Sequence, residues 1–149
     1  MKRLAIAALI AIPALSFAQT PAAVDECFTG AATRYSISKP LLVAIGQTES
    51  KLNPAAISPT NSNGTFDIGL MQINSSWLPK LKKYGVSLSD LRQACTSIYV
   101  GAWIMANNIS VHGSNWNAVG AYNAASTSKR QIYVAKVQKN LSAITLAAN

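Results

Sequence analysis

The sequence predicts an α+β fold, mainly α, with one small β-hairpin. Three observations carry that expectation. Apolar residues recur at spacings of three and four in several separate stretches. One tract alone, Ser58 to Gly64, is dense in Ser, Thr, Asn, Pro and Gly, and it ends in Asn63-Gly64, the strongest short hairpin-turn signal. The chain has 149 residues, enough for one domain with a sizeable core, and it shows no linker, repeat or low-complexity tract.

The opening, MKRLAIAALIAIPALSFAQT, has a basic start at Lys2 and Arg3, an apolar run from Leu4 to Phe17, and small residues at Ser16 and Ala18. This pattern predicts a secretory signal peptide over residues 1–18. The run contains Pro13 and is shorter than the ~20 residues that span a bilayer. Residues 19–149 are therefore expected to be a single domain in the periplasm, with no stable membrane span after cleavage.

Ala22 to Tyr35 is Ala-rich and helix-compatible, with Asp25 and Glu26 suited to a first turn. Ser38 is a plausible N-cap, and Pro40 is tolerated in the first turn of the helix that follows. On that helix Leu41, Leu42, Ile45, Glu49 and Leu52 share a face, and Pro54 should stop it near Asn53. After the Asn63-Gly64 turn, Thr65 to Ile68 reads as a returning strand ended by Gly69. Trp77 to Tyr84 reads as a short helix capped by Gly85, and Ser87 to Ala94 as another. Ser97 to Val111 reads as a longer helix closed by Gly113. Trp116 to Asn123 reads as a short helix, and Lys129 to Ala147 as the last one, with Tyr133, Val137, Leu141 and Ile144 on one side.

The formal charge is +8, of which Lys2 and Arg3 would leave with the signal peptide. An exported basic protein is drawn to anionic polymers and surfaces. Nucleic acid is not indicated, because no basic stripe is interleaved with aromatics. Lys80, Lys82 and Lys83 form the one tight basic cluster, and a solvated helix face accounts for it. Export favours a disulfide between the two cysteines, Cys27 and Cys95, with a pair of buried free thiols as the alternative. A zinc site would need more Cys or His than these and the single His112.

The chemistry concentrates in Ser38 to Asn74. The chain has five acidic residues, and two of them, Glu49 and Asp67, fall in this stretch. Burial disfavours an ionised carboxyl, so Glu49 on an apolar helix face should have a raised pKa and serve as a general acid near neutral pH. Its other reading is a Glu at a helix end that points sideways to water. Paired carboxylates flanking a bond are the usual apparatus of glycoside cleavage. Asp67, on a strand facing Glu49, would complete such a pair. Ser50, Gln72, Asn74 and Tyr122 offer neutral hydrogen bonds suited to sugar hydroxyl and acetamido groups. Trp77, Trp103, Trp116 and Tyr122 offer faces for stacking, although each is also a candidate core residue.

Glu49-Ser50, Gly69-Leu70-Met71-Gln72 and Ala121-Tyr122-Asn123, in that order, resemble the three motifs of the bacterial lytic transglycosylases. Tyr133-Val134-Ala135-Lys136-Val137 resembles their C-terminal motif. Ala125 departs from the Gly often found after Tyr-Asn-Ala. The resemblance covers essentially all of residues 19–149 and is nearest to the small signal-peptide-bearing members that serve secretion, conjugation and pilus machines. It implies a lysozyme-like fold with the hairpin beside the catalytic helix. It also implies a peptidoglycan substrate, cleavage between N-acetylmuramic acid and N-acetylglucosamine with a 1,6-anhydro product, and no cofactor or metal. Components of those machines are its implied partners. Carried over residue by residue, Glu49 is catalytic, and Ser50, Met71, Gln72, Tyr122 and Asn123 position the substrate, while Asp67, outside these motifs, would hold the hairpin or a sugar.

Asn61 to Trp77 also looks very like the β-hairpin of C-type lysozymes, with Asp67 at the second carboxylate, but the disulfide set of that family is absent. A hydrolase using Glu49 and Asp67 is thus one alternative. A non-catalytic wall-binding scaffold module is another, and a peptidoglycan zymogram separates it from an enzyme.

Overall fold

The computed structural model describes residues 19–148, so the signal peptide expected over residues 1–18 lies outside the described residues. Six α-helices surround a two-stranded antiparallel ribbon, which agrees with the mainly α expectation. Among the described residues, no helix is long and apolar enough to cross a membrane.

Helix α1 is Pro21–Tyr35. The Thr20 hydroxyl accepts from the Ala23 N–H (3.2 Å), and Pro21 occupies the first position, where its missing N–H costs nothing. Helix α2 is Lys39–Ser50, and Ser38 precedes it without making a side-chain cap. It ends three residues before Asn53. Lys51 and Leu52 both take the left-handed conformation, with φ of 57° and 63°. Their N–H groups turn back to the Gln47 and Gly46 carbonyls at 3.2 and 3.3 Å. This reversal places Glu49 in the last turn of α2.

Strand β1 (Asp67–Ile68) pairs with β2 (Ile73–Asn74), Asp67 opposite Asn74 and Ile68 opposite Ile73. The expected strand Thr65–Ile68 is thus paired over its second half only. The tight turn joining the strands is Gly69–Gln72, with φ of 77° at Gly69 and 49° at Gln72. Asn63-Gly64 instead turns the preceding loop, where the Gly64 N–H reaches the Asn61 carbonyl (2.9 Å). That loop meets the ribbon through a single bridge between Ile57 and Ile68. A side chain on Gly69 would collide with the Leu91 carbonyl, so both its φ and its surroundings call for glycine.

A 3-10 turn, Ser75–Trp77, leads into α3 (Leu78–Lys82), which is shorter than the expected Trp77–Tyr84. Where Ser87–Ala94 was expected to be helical there is only a 3-10 turn at Asp90–Arg92, closed by the Ser87 N–H on the Asp90 carboxylate (2.8 Å). Gln93 is extended, and α4 (Ala94–His112) starts there, three residues before Ser97. Helix α5 is Trp116–Asn123, and the Asn115 side chain caps it. Helix α6 is Thr127–Ala147.

Helix α4 is the hub. It packs on α1 and α5, while α2 lies mainly against α6. Phe28, Leu42, Ile45, Leu70, Met71, Ile98, Met105 and Val137 fill the space between them, each almost fully buried. Ser97 is the one fully buried polar side chain among the described residues, and its hydroxyl accepts from the Met71 N–H (3.0 Å). Cys27 on α1 and Cys95 in the first turn of α4 form a disulfide with Cα atoms 5.3 Å apart.

Candidate active site

The ribbon, the end of α2, and helices α5 and α6 enclose a cleft of about 480 Å³. Glu49 and Asp67 both line it, together with Gln72, Asn74, Tyr122 and Asn123. Asn61, Asn63, Trp77, Ile104 and Lys129 complete much of the wall. The cleft is therefore rich in amide groups with one indole face, which suits a ligand of hydroxyl and acetamido groups.

Glu49 is the chemical centre. The Tyr133 hydroxyl donates to its Oε1 at 2.6 Å. Its pKa is raised from 4.5 to about 7. Burial is the main cause, the Asp67 charge adds to it, and the Tyr133 hydrogen bond and the Lys136 charge oppose it. A carboxyl of that kind holds a proton to give at neutral pH and can take one back. Burial and the charge of Glu49 raise the Tyr133 phenol, so Tyr133 stays a donor.

Asp67 is held differently. The Asn74 amide donates to its Oδ1 (2.8 Å), and its own N–H reaches the Ser58 hydroxyl (2.8 Å). The pairing of β1 with β2 brings this Asp and this Asn face to face. The Asn74 side-chain Oδ1 in turn accepts from the Ser76 N–H (3.0 Å), which starts the 3-10 turn carrying Trp77. The edge of the Trp77 indole meets Trp103, with centroids 5.3 Å apart at 74°, and the Lys80 ammonium lies over both rings.

Three residues expected to position substrate act through the backbone instead. The Ser50 hydroxyl donates to the Leu70 carbonyl (2.7 Å) and accepts from the Asn53 N–H (3.0 Å), tying α2 to the ribbon turn. The Met71 side chain is fully buried against Gly101, where a Cβ would come within 2.9 Å of three of its atoms. The Met71 carbonyl accepts from the Tyr122 hydroxyl (2.9 Å). Gln72 lines the cleft, but its amide donates to the Gly69 carbonyl (2.9 Å), which holds its own turn. Ser50 and Met71, expected to position substrate, are engaged with the ribbon turn, Ser50 through its hydroxyl and Met71 through its carbonyl. Both hold the Gly69–Gln72 turn, which follows the strand that carries Asp67. Of the other tryptophans, Trp103 faces a groove beside Arg34 and Tyr84, and Trp116 lines a separate one with Leu41 and Met105.

Sequence reasoning placed Tyr133 on an apolar helix face and in the C-terminal motif, and did not connect it to Glu49, 84 residues away. Its signal was present, since Tyr133 is the one aromatic residue between Lys129 and Ala147. Tyr133→Phe removes a hydrogen bond that favours the ionised carboxylate. The pKa of Glu49 should therefore rise, and the alkaline limb of kcat/KM against pH should move to higher pH. An unmoved limb would show that Tyr133 does not act on this carboxyl.

A family model described as "Transglycosylase SLT domain" matches residues 26–142. Invasion protein IagB of Salmonella typhimurium (strain SL1344) is 42% identical over 120 residues, which cover 77% of this chain and 74% of that protein. Protein IpgF of Shigella flexneri is 36% identical over 107 residues, covering 71% and 70% of the two chains. A peptidoglycan-binding-like protein of Escherichia coli O157:H7 is 34% identical over 139 residues, covering 86% and 80%.

Proposed function

The chain belongs to the transglycosylase SLT domain family, and from that premise we propose that it is an active lytic enzyme cutting peptidoglycan between N-acetylmuramic acid and N-acetylglucosamine. The single observation that carries this reading is Glu49, a partly buried carboxyl whose pKa is raised to about 7 at the wall of an amide-lined cleft. Protonated Glu49 gives its proton to the glycosidic oxygen as the bond from C1 breaks. The acetamido oxygen of the same sugar closes on C1 and holds the developing positive charge. The sugar's 6-hydroxyl then attacks C1, displaces the acetamido oxygen and passes its proton to the Glu49 carboxylate. The acid is restored, an anhydro ring remains, and no water is consumed. One group thus serves as acid and then as base, which a pKa near the working pH favours.

In this reading Asp67 hydrogen-bonds sugar from the opposite wall, while Tyr122 and Asn123 line the far side. Residues 1–18 are a signal peptide that delivers residues 19–149 to the periplasm. There the enzyme opens the wall locally for a secretion, conjugation or pilus apparatus. Likeness to a protein named for invasion supports that setting.

Mass spectrometry of muropeptides released by the purified protein tests the reaction. Products lighter by one water than hydrolysis products are expected. Asp67→Asn should still give the anhydro products. It removes a charge that raises the Glu49 pKa, so its alkaline limb should fall to lower pH. Reducing-end products alone, lost in Asp67→Asn, would make the protein a hydrolase that uses both carboxylates. No soluble product from a folded protein that still pulls down cell wall would make it a binding module.

A further inference from the structure

The cleft does not end at Glu49. A second hollow of about 230 Å³ lies against the same carboxyl, lined by Thr48, Tyr133, Ile132, Lys129 and Lys136. It shares Glu49, Asn123 and Lys129 with the larger cavity, so the two form one trough with the acid at the junction. Lys129, Ile132, Tyr133 and Lys136 follow one face of α6 at helical spacing. The face that supplies the hydroxyl to Glu49 is therefore flanked by two ammonium groups. At this end the Asn140 amide donates to the Thr48 hydroxyl (2.9 Å), tying α6 to α2.

The two ends of the trough differ in charge. The larger end holds Asp67 and a row of amides. The smaller end adds the exposed Lys136 to the exposed Lys129 that both ends share, and among the described residues it has no acid except Glu49. The one ion pair among the described residues, Lys39 with Asp25, lies elsewhere. Neither lysine makes an ion pair among the described residues, and the one acid whose field Lys136 feels is Glu49 at the junction.

Peptidoglycan supplies the complementary charge. Its sugars are neutral where the muramic lactyl group is amide-linked, and its free carboxylates sit on the peptide stems. We infer that the Lys129–Lys136 end of the cleft is a carboxylate-reading subsite that engages the peptide stem of the glycan on one side of Glu49, while the amide-lined end takes uncharged sugar. This deepens the glycan-cleaving reading and rests on it. The subsite would select stem-bearing strands and fix the direction in which a strand lies across the acid.

The test reads binding without turnover. Glu49→Gln protein is sedimented with native sacculi and with sacculi whose carboxylates have been converted to primary amides. Native sacculi should bind about fivefold more tightly, the size of two partly exposed ion pairs. Adding Lys129→Gln and Lys136→Gln should erase the difference, and Arg at both positions should keep it. Lys82→Gln with Lys83→Gln, which removes the same charge from the exposed end of α3, should keep most of it. The inference is overturned if the cleft pair leaves the difference intact, or if the α3 pair erases it equally. Products released by the unsubstituted protein are read separately, so failure of the lytic reading shows there and not in this ratio.

Discussion

Glu49→Gln should give a folded protein that no longer cuts glycan strands, with turnover reduced by roughly 10²–10⁴-fold or more. Gln keeps the shape and can still accept from Tyr133, but it has no proton to give. The same substitution should also stabilise the protein, in a pH window set by the carboxyl itself. Glu49 titrates at its ordinary 4.5 in the unfolded chain and at about 7 in the fold. Between those values the unfolded chain has released a proton that the native state keeps, so stability falls as pH rises from 4.5 to 7 and is level above. The cost above pH 7 is about 3 kcal/mol at most, and less where solvent reaches the group. The variant should therefore melt higher than the parent at pH 8, with the gap closing towards pH 4.5. Near-parental clearing of peptidoglycan would remove Glu49 from its role, and a pH-independent gap in Tm would show that its pKa is not shifted.

Opening the Cys27–Cys95 bridge is the largest expected loss of stability. The bridge spans a sequence separation of 68, and closing a loop of that length contributes roughly 4 kcal/mol in the chain-entropy description. For a domain of this size, reduction or a paired Cys27→Ser and Cys95→Ser change should lower Tm on the order of 10–20 °C. Neither cysteine lines the cleft, so cutting well below the new Tm should persist. Thiols in the unreduced, denatured protein should not react with alkylating reagent. An unchanged Tm on reduction would show that the α1–α4 pairing holds without the bond.

The helices were legible because their apolar faces recur at helical spacing and because Pro40 and Gly113 mark ends in ways local chemistry explains. The end of α2 was not. The chain reverses at Lys51 and Leu52, two left-handed residues that are not glycine, and no local preference announces them. The ribbon was legible as an element but misplaced as a turn. Asn63-Gly64 is the stronger local signal, yet the paired strands are joined at Gly69–Gln72, whose shape is held by Ser97, Ser50 and Tyr122 from distant parts of the chain. Motif spacing marked which residues gather around the acid. It could not separate those that face the cleft, such as Gln72 and Asn123, from Ser50 and Met71, which brace its wall. Long-range pairing made Tyr133 invisible as a partner of Glu49.

The packing of α6 on α2 governs when Glu49 is buried enough to hold its proton. Glu49 lies in the first half of the chain, yet the hydroxyl on its carboxyl comes from Tyr133, and the bond tying α6 to α2 beside it comes from Asn140, 92 residues beyond Thr48. A chain emerging N-terminus first can fold α1 and α2 and still present Glu49 as an ordinary exposed acid, ionised at neutral pH. The proton-holding site is assembled only when the last helix docks. In the proposed reading, an incomplete chain, or one nicked before α6, carries every residue of the first two motifs without this packing and should show no lytic activity.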